Sequence, residues 1–127
     1  MAVRRVLIGS ASELDAQLAA LGGSSLFVLF SGAKDSTGVS WCPDCVEAEP
    51  VINAALEKAS SDRDVVLLYA PLVRAEYKGN AAHWARVHPS FKLERIPTLF
   101  KMGKTRPTGS LVEGQCKDAA LLADFLE

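Results

Sequence analysis

The segment Trp41-Cys42-Pro43-Asp44-Cys45 places two cysteines three residues apart, directly before a stretch with helical periodicity. In Val46 to Ser60, apolar residues recur at i, i+3, i+4 and i+7 from Ile52 onward, with charged residues between them. The two thiols should therefore lie on one turn at the N-terminus of a helix, close enough to form a disulfide. This placement favours a redox-active dithiol.

Cys42 is the predicted nucleophile of this pair. The free N–H groups and the positive dipole end at a helix N-terminus favour a thiolate, which is the attacking form of a cysteine. Cys45, one turn into the helix, should be more buried and should resolve the mixed disulfide that Cys42 forms with a substrate. Pro43 fixes the first helical turn. Asp44 has two opposed effects, since its carboxylate favours the helix start but opposes a nearby thiolate, and the sequence leaves open which effect is larger.

Two other uses of a Cys-x-x-Cys pair remain as alternatives. A zinc site usually needs a second pair of ligands, and the remaining candidates, Cys116, His83 and His88, are scattered along the chain. A purely structural disulfide would close only one helical turn and so would add little stability. We therefore expect no bound metal and no bound cofactor, with both histidines at the surface or partly buried.

The composition of the chain limits its class and its partners. It has 127 residues, 49% of them hydrophobic and 23% charged, and we expect a single domain over residues 1–127. A formal net charge of −1 argues against binding to nucleic acid or to an anionic membrane surface. No apolar run approaches the roughly 18 residues of a membrane span, and Val6 to Ile8 is too short for an export signal. With three cysteines, a reducing, cytoplasmic location is expected.

Apolar runs and turn residues predict the remaining elements. Strands are predicted at Arg4–Ile8, at Leu26–Phe30, at Asp64–Tyr69 with Pro71 closing it, after Pro97, and at Ser110–Glu113. Helices are predicted from Ser10 to Gly22-Gly23, over Val46–Ser60, and from about Lys117, where Leu121, Leu122, Phe125 and Leu126 should face inward. Ser31 to Ser40 is predicted to be a surface loop beside the dithiol, and Cys116 a small core filler.

The order of these elements, with a Cys-x-x-Cys motif after the second strand, resembles the thioredoxin fold over nearly the whole chain. Pro50, five residues after Cys45, and Ile96-Pro97-Thr98 also match the thioredoxin pattern. The resemblance implies an α/β protein with a central mixed β-sheet flanked by helices on both faces. It further implies a cis Pro97 facing the dithiol, with Trp41, Ile96 and Pro97 forming the surface on which substrates dock.

A narrower resemblance rests on three motifs, which are Trp41–Cys45, Ser31-Gly32-Ala33-Lys34-Asp35 and Cys45–Pro50. Together they are similar to the cytosolic thioredoxin-related proteins of the thioredoxin domain-containing protein 17 family. That family implies a disulfide reductase that takes electrons from NADPH through thioredoxin reductase. The implied substrates are small or selected protein disulfides such as cystine, together with nitrosothiols and peroxides.

One position departs from the ordinary thioredoxin pattern. Thioredoxins have a buried aspartate in the strand before the dithiol, which accepts the proton of the second cysteine, and the matching residue here is Leu29. That role would have to pass to Asp44 or to water. A function of another class also stays open, namely a thioredoxin-like adaptor that docks partners through Trp41 and Pro97, with the redox state of the dithiol as a switch.

Overall fold

The computed structural model of the protein describes residues 2–22 and 25–127. The strands are β1 Val3–Leu7, β2 Leu26–Gly32, β3 Val65–Leu72, β4 Thr98–Met102 and β5 Pro107–Val112. The helices are α1 Ala11–Leu21, α2 Pro43–Ala59, α3 Arg74–Tyr77, α4 Trp84–Val87 and α5 Ala119–Phe125, with a 3-10 helix at Glu113–Lys117. Gly23, predicted with Gly22 to end the first helix, lies outside the described residues. None of these helices is both long enough and apolar enough to cross a bilayer.

The strands form one five-stranded mixed sheet in the order β1-β3-β2-β4-β5. β3 pairs in parallel with β1 and with β2, whereas β2 pairs antiparallel with β4, and β4 pairs antiparallel with β5. All seven residues of β2 are buried, because this strand has a neighbour on each side and helices over each face. The carboxyl end of β2 leads directly into the segment that carries the dithiol.

Helices cover both faces of the sheet, so the core is divided into two clusters. On one face Val28 and Phe30 of β2 pack with residues of α1 and of the α3–α4 region. On the other face Phe27 and Leu29 pack with α2 and α5. The alternation along β2 follows the two-residue period of a strand. The predicted α/β class, with a mixed sheet flanked on both faces, is confirmed.

Two strands extend further at their carboxyl ends than the sequence predicts, and β5 begins at Pro107 instead of Ser110 and ends at Val112 instead of Glu113. β2 continues through Ser31 and Gly32, so both residues are buried in the sheet rather than part of a surface loop. β3 continues through Pro71 to Leu72. Proline is tolerated there because β1 pairs with β3 only as far as Tyr69, which leaves one edge of β3 without a strand partner at Pro71.

The C-terminal helix begins later than predicted and buries fewer leucines. Asp118 caps α5 by accepting the N–H groups of Ala120 and Leu121, and the five residues before it form the 3-10 helix. The prediction that Leu121 faces inward is wrong, since this side chain is 40% exposed. The buried leucines are Leu122, within α5, and its C-cap residue Leu126, which lies four positions later and so on the same side of the chain.

Cys116 is a core residue, as predicted. It is 0% exposed, and its thiol donates a hydrogen bond to the Leu111 carbonyl at 3.2 Å. Burial raises the pKa of the Cys116 thiol from its ordinary 9.0 to about 11. The neutral thiol is therefore the form that the folded protein favours.

Replacing Cys116 with alanine should make the free energy of unfolding fall less steeply as the pH rises above 9. The stabilisation from the raised pKa is fully present below pH 9 and is lost as the pH rises to about 11, because the unfolded chain releases this proton first. A shift of this size corresponds to about 2 to 3 kcal/mol of unfolding free energy. Denaturant unfolding of reduced protein between these pH values should show a steeper decline for the wild type, and parallel declines would contradict the prediction.

Candidate functional site

The two thiols of the motif lie at the N-terminus of α2. Cys42 is the N-cap residue, Pro43 is the first helical residue, and Cys45 lies in the first turn. Both cysteines are free thiols, and their Sγ atoms are 2.7 Å apart, against about 2.05 Å in a disulfide bond. Cys42 is 7% exposed and Cys45 is 0% exposed, so the second cysteine is the more buried one, as predicted.

Hydrogen bonds distinguish the two sulfur atoms. Cys42 Sγ accepts the backbone N–H of Cys45 at 3.4 Å and the Cys45 thiol proton at 2.7 Å. Cys45 Sγ accepts the backbone N–H of Gly32, at the end of β2, at 3.3 Å. The arrangement places donors on Cys42 and holds Cys45 as the protonated partner.

Burial raises the pKa of the Cys45 thiol to about 12, and its hydrogen bond to Cys42 adds to this effect. The Ser31 side chain and the Gly32 backbone N–H favour the Cys45 thiolate and so act in the opposite direction, but they do not cancel the effect of burial. At neutral pH Cys45 is therefore a thiol, and it must lose its proton before it can attack another sulfur.

Trp41 and Ile96 lie in the same buried cluster as the dithiol. The indole N–H of Trp41 donates to the Leu72 carbonyl at 2.7 Å, which fixes the ring against the end of β3, and the side chain is only partly buried. Ile96 is 9% exposed, and the Ile96–Pro97 peptide bond is cis. Pro97 directly precedes β4, and its carbonyl accepts the backbone N–H of Glu113 at 2.8 Å.

Asp44 is paired with a lysine that the sequence reasoning missed. Lys117 Nζ lies 3.6 Å from Asp44 Oδ1 and 2.8 Å from Glu47 Oε2. Its ammonium group offsets part of the negative charge that Asp44 brings to the start of α2. Lys117 follows Cys116 in the 3-10 helix, far from the motif in sequence, and no local pattern indicates this pairing.

A buried polar cluster beneath Cys45 was also missed. Glu49 on α2 is 8% exposed, and its Oε2 accepts the hydroxyl proton of Ser31 at 2.7 Å. Lys34 Nζ lies 3.3 Å from Glu49 Oε1. Glu49 lies four residues after Cys45 and three residues before Ile52. The helical periodicity that predicts α2 therefore also puts Glu49 on its buried face. The available signal was an acidic residue at a core position.

Neither histidine is near the dithiol in a metal-binding arrangement. His83 accepts the Ala85 N–H, and His88 Nε2 lies 2.8 Å from Asp15 Oδ1. The prediction that they lie at the surface or partly buried is wrong, because they are only 8% and 7% exposed. Both pack against aromatic rings of the α3–α4 region, which buries them. Within residues 2–22 and 25–127, no group of three or more His, Cys, Asp or Glu side chains is placed to hold a metal ion.

Gly32 allows β2 to approach the dithiol segment closely. A Cβ atom at this position would lie 2.7 Å from Ser40 Oγ, 2.9 Å from Cys42 Cβ and 3.1 Å from Trp41 Cε2. The first two distances are shorter than real Cβ contacts. A side chain at residue 32 would therefore push the dithiol segment away from the sheet.

Replacing Gly32 with alanine should destabilise the protein by about 1 to 3 kcal/mol, the usual cost of overpacking, and should shift the Trp41 fluorescence. Gly114→Ala is the matched control, since a Cβ there would meet nothing within 4 Å. Denaturant unfolding followed by fluorescence measures both variants. Equal stability of the two would show that the close approach at residue 32 is not a constraint.

Comparison with known proteins gives matches over most of the chain. A family model described as thioredoxin domain-containing protein 17-like, thioredoxin domain, matches residues 10–127. The Mus musculus protein named Thioredoxin domain-containing protein 17 is 38% identical over 104 residues, which are 79% of this chain and 76% of that protein. The Arabidopsis thaliana protein named Thioredoxin-like protein Clot is 41% identical over 93 residues, 72% of this chain and 64% of that protein.

Solved structures are similar in fold. The thioredoxin of Fasciola hepatica superposes with a TM-score of 0.64 at 12% identity, covering 94% of each chain. At that identity the likeness concerns the fold alone, and it confirms the thioredoxin fold that the order of elements and the motif positions predict.

Proposed function

The chain belongs to the thioredoxin domain-containing protein 17-like family, and we propose that it is a thiol–disulfide oxidoreductase that works as a disulfide reductase. The observation that carries the proposal is the pair of free thiols at the N-terminus of α2, with sulfur atoms 2.7 Å apart. Such a pair closes into a disulfide with little movement of the backbone.

The reaction proceeds in two exchanges. The Cys42 thiolate attacks one sulfur of the substrate disulfide, the substrate S–S bond breaks, and the first product leaves as a thiolate. The Cys45 thiolate then attacks Cys42 Sγ, the Cys42–substrate bond breaks, and its electron pair leaves with the second product thiolate. Two electrons pass from the dithiol to the substrate, and the Cys42–Cys45 disulfide remains. The product thiolates take up the two protons that the dithiol has lost.

Small or selected protein disulfides such as cystine are the proposed substrates, with nitrosothiols and peroxides as further ones. The low exposure of Cys42, only 7%, supports this choice, because a sulfur in a bulky folded protein reaches such a thiol with difficulty. Trp41, Ile96 and Pro97 would form the docking surface around it. Thioredoxin reductase, with electrons from NADPH, is the proposed reductant, and the cytoplasm is the proposed location.

Consumption of NADPH in the presence of thioredoxin reductase and cystine tests this proposal. The wild type should sustain turnover, and Cys42→Ser should lower the rate by about 100-fold or more because it lacks the nucleophile. Cys45→Ser should instead accumulate a mixed disulfide, which mass spectrometry detects. Cys116→Ala is the matched control, since it removes a thiol buried elsewhere in the core, and it should keep the wild-type rate at neutral pH.

Insulin, added in parallel, tests the choice of substrate. Rates on insulin that equal those on cystine would contradict selectivity for small disulfides. If NADPH were consumed on neither substrate while the dithiol still reacted with a disulfide reagent, thioredoxin reductase would be excluded as the reductant. Glutathione would then be the proposed reductant.

The adaptor alternative would use exposed apolar side chains next to Cys45 and at the end of β3. Val46 directly follows Cys45, Val73 directly follows Leu72, and each is 46% exposed. Such side chains would add apolar area to a surface on which a partner protein docks. If Cys42→Ser kept partner capture and no variant affected substrate reduction, the adaptor function would replace the reductase.

A further inference from the structure

The resolving step requires a proton acceptor that the sequence does not reveal. Cys45 is 0% exposed, so bulk water does not reach its thiol directly. Leu29, at the position of the thioredoxin aspartate, is apolar and 2% exposed. Asp44, the other candidate from the sequence, is directed at Lys117 instead. The acceptor has to be sought among the groups that are buried around Cys45.

Ser31 connects Cys45 to a buried carboxylate. The Ser31 hydroxyl is 0% exposed and donates its proton to Glu49 Oε2 at 2.7 Å. Its interaction with the Cys45 side chain acts to lower the pKa of that thiol. Since a hydroxyl donates one proton and accepts others, Ser31 can receive the Cys45 proton while it passes its own to Glu49.

Lys34 pairs with Glu49 on the side that faces the surface. Its ammonium group lies 3.3 Å from Glu49 Oε1, on the oxygen that Ser31 does not use. The Lys34 side chain is 50% exposed, whereas that of Glu49 is 10% exposed, so the pair connects the buried cluster to the surface. The carboxylate thus has a hydroxyl on its inner side and a cation on its outer side.

We propose that Ser31 and Glu49 form a proton relay that activates Cys45 for the resolving step. This inference rests on the proposed reductase function. The Cys45 S–H proton moves to Ser31 Oγ as the Ser31 proton moves to Glu49 Oε2, which leaves a Cys45 thiolate and a neutral Glu49. The thiolate forms the bond to Cys42 Sγ, and the product thiolate departs with the electron pair of the broken bond. Glu49 then returns its proton to solvent at the Lys34 side.

Several other titratable groups surround the relay. They are Cys42 at the cap of α2, Lys34 from the loop after β2, Tyr69 from β3 and Tyr77 from α3. Burial raises the pKa of Tyr69 to about 12, and the negative charge of Glu49 adds to this effect. Tyr69 and Tyr77 thus remain neutral near pH 7, and Glu49 is the carboxylate among the groups that the structure places around Cys45.

Single-turnover reaction of the reduced protein with dithiobis(nitrobenzoate) separates the two exchanges. The first phase, attack by Cys42, releases one coloured thiolate at a rate that depends on concentration. The second phase, attack by Cys45, releases a second coloured thiolate at a rate that is independent of the reagent concentration. Glu49→Gln should slow the second phase by about 100-fold at pH 7, a usual contribution of a positioned general base, and should leave the first within about twofold. Glu57→Gln, on the exposed surface of the same helix, is the matched control and should change neither phase.

The pH profile distinguishes a relay from a merely structural role. In Glu49→Gln the relay has no final acceptor, and the Cys45 proton leaves only when solvent enters the site transiently. The second phase should then follow the fraction of Cys45 thiolate and rise about tenfold per pH unit between pH 6 and 9, because the Cys45 pKa is about 12. The wild type should show a shallower rise. A Glu49→Gln second phase within twofold of the wild type, or with the same pH slope, would overturn the relay.

Ser31→Ala provides an independent variant if Glu49→Gln does not fold. It removes the connecting hydroxyl, so it should slow the second phase at least tenfold with the first phase preserved. An unchanged second phase in this variant would also overturn the relay. A failure of the proposed reductase function would give a different result. The first phase would then persist in Cys42→Ser, which shows that Cys42 is not the attacking thiol.

Discussion

The burial of the Cys45 thiol between β2 and α2 is the constraint on which the rest of the site depends. β2 is the central strand, held on its two edges by β3 and β4, so the position of Gly32 is fixed by the sheet. The Gly32 N–H binds Cys45 Sγ, and the absence of a side chain at Gly32 lets the segment that holds Cys42 approach the strand. The N-terminus of α2 is thereby placed against the end of the sheet, with Cys42 as its cap.

The same burial separates the properties of the two thiols. Cys42 retains some exposure and receives the Cys45 N–H, as expected for a residue at a helix N-terminus. Cys45 has no exposure, and its pKa is raised because a thiolate loses its hydration there. A site with this geometry keeps its second thiol unreactive until something removes the proton. In the proposed reaction, the surroundings of Cys45 would therefore control the second exchange more than those of Cys42.

Much of this architecture follows from short-range patterns in the sequence. The apolar run of β2, the periodicity of α2 and the spacing of the two cysteines predict the fold and place the dithiol, because each depends on residues close in the chain. The pairing of Lys117 with Asp44 joins residues far apart in sequence, and local patterns carry no information about it. The extent of β2 was underestimated because Ser31 and Gly32 are typical loop residues, although the sheet pairs them with Pro71 and Leu72.

The buried carboxylate shows how tertiary context changes the meaning of a residue. Removing a charge from water costs several kcal/mol unless partners compensate it. Ser31 and Lys34 supply that compensation from the strand and from the loop that follows it. With the carboxylate on α2 rather than on β2, Leu29 remains available to the hydrophobic core beside Ile52 and Leu56. Glu49 also lies one helical turn after Cys45, so the carboxylate and the thiol are carried by the same rigid helix. The distance from Cys45 to a carboxylate on a strand would instead depend on how the helix packs on the sheet.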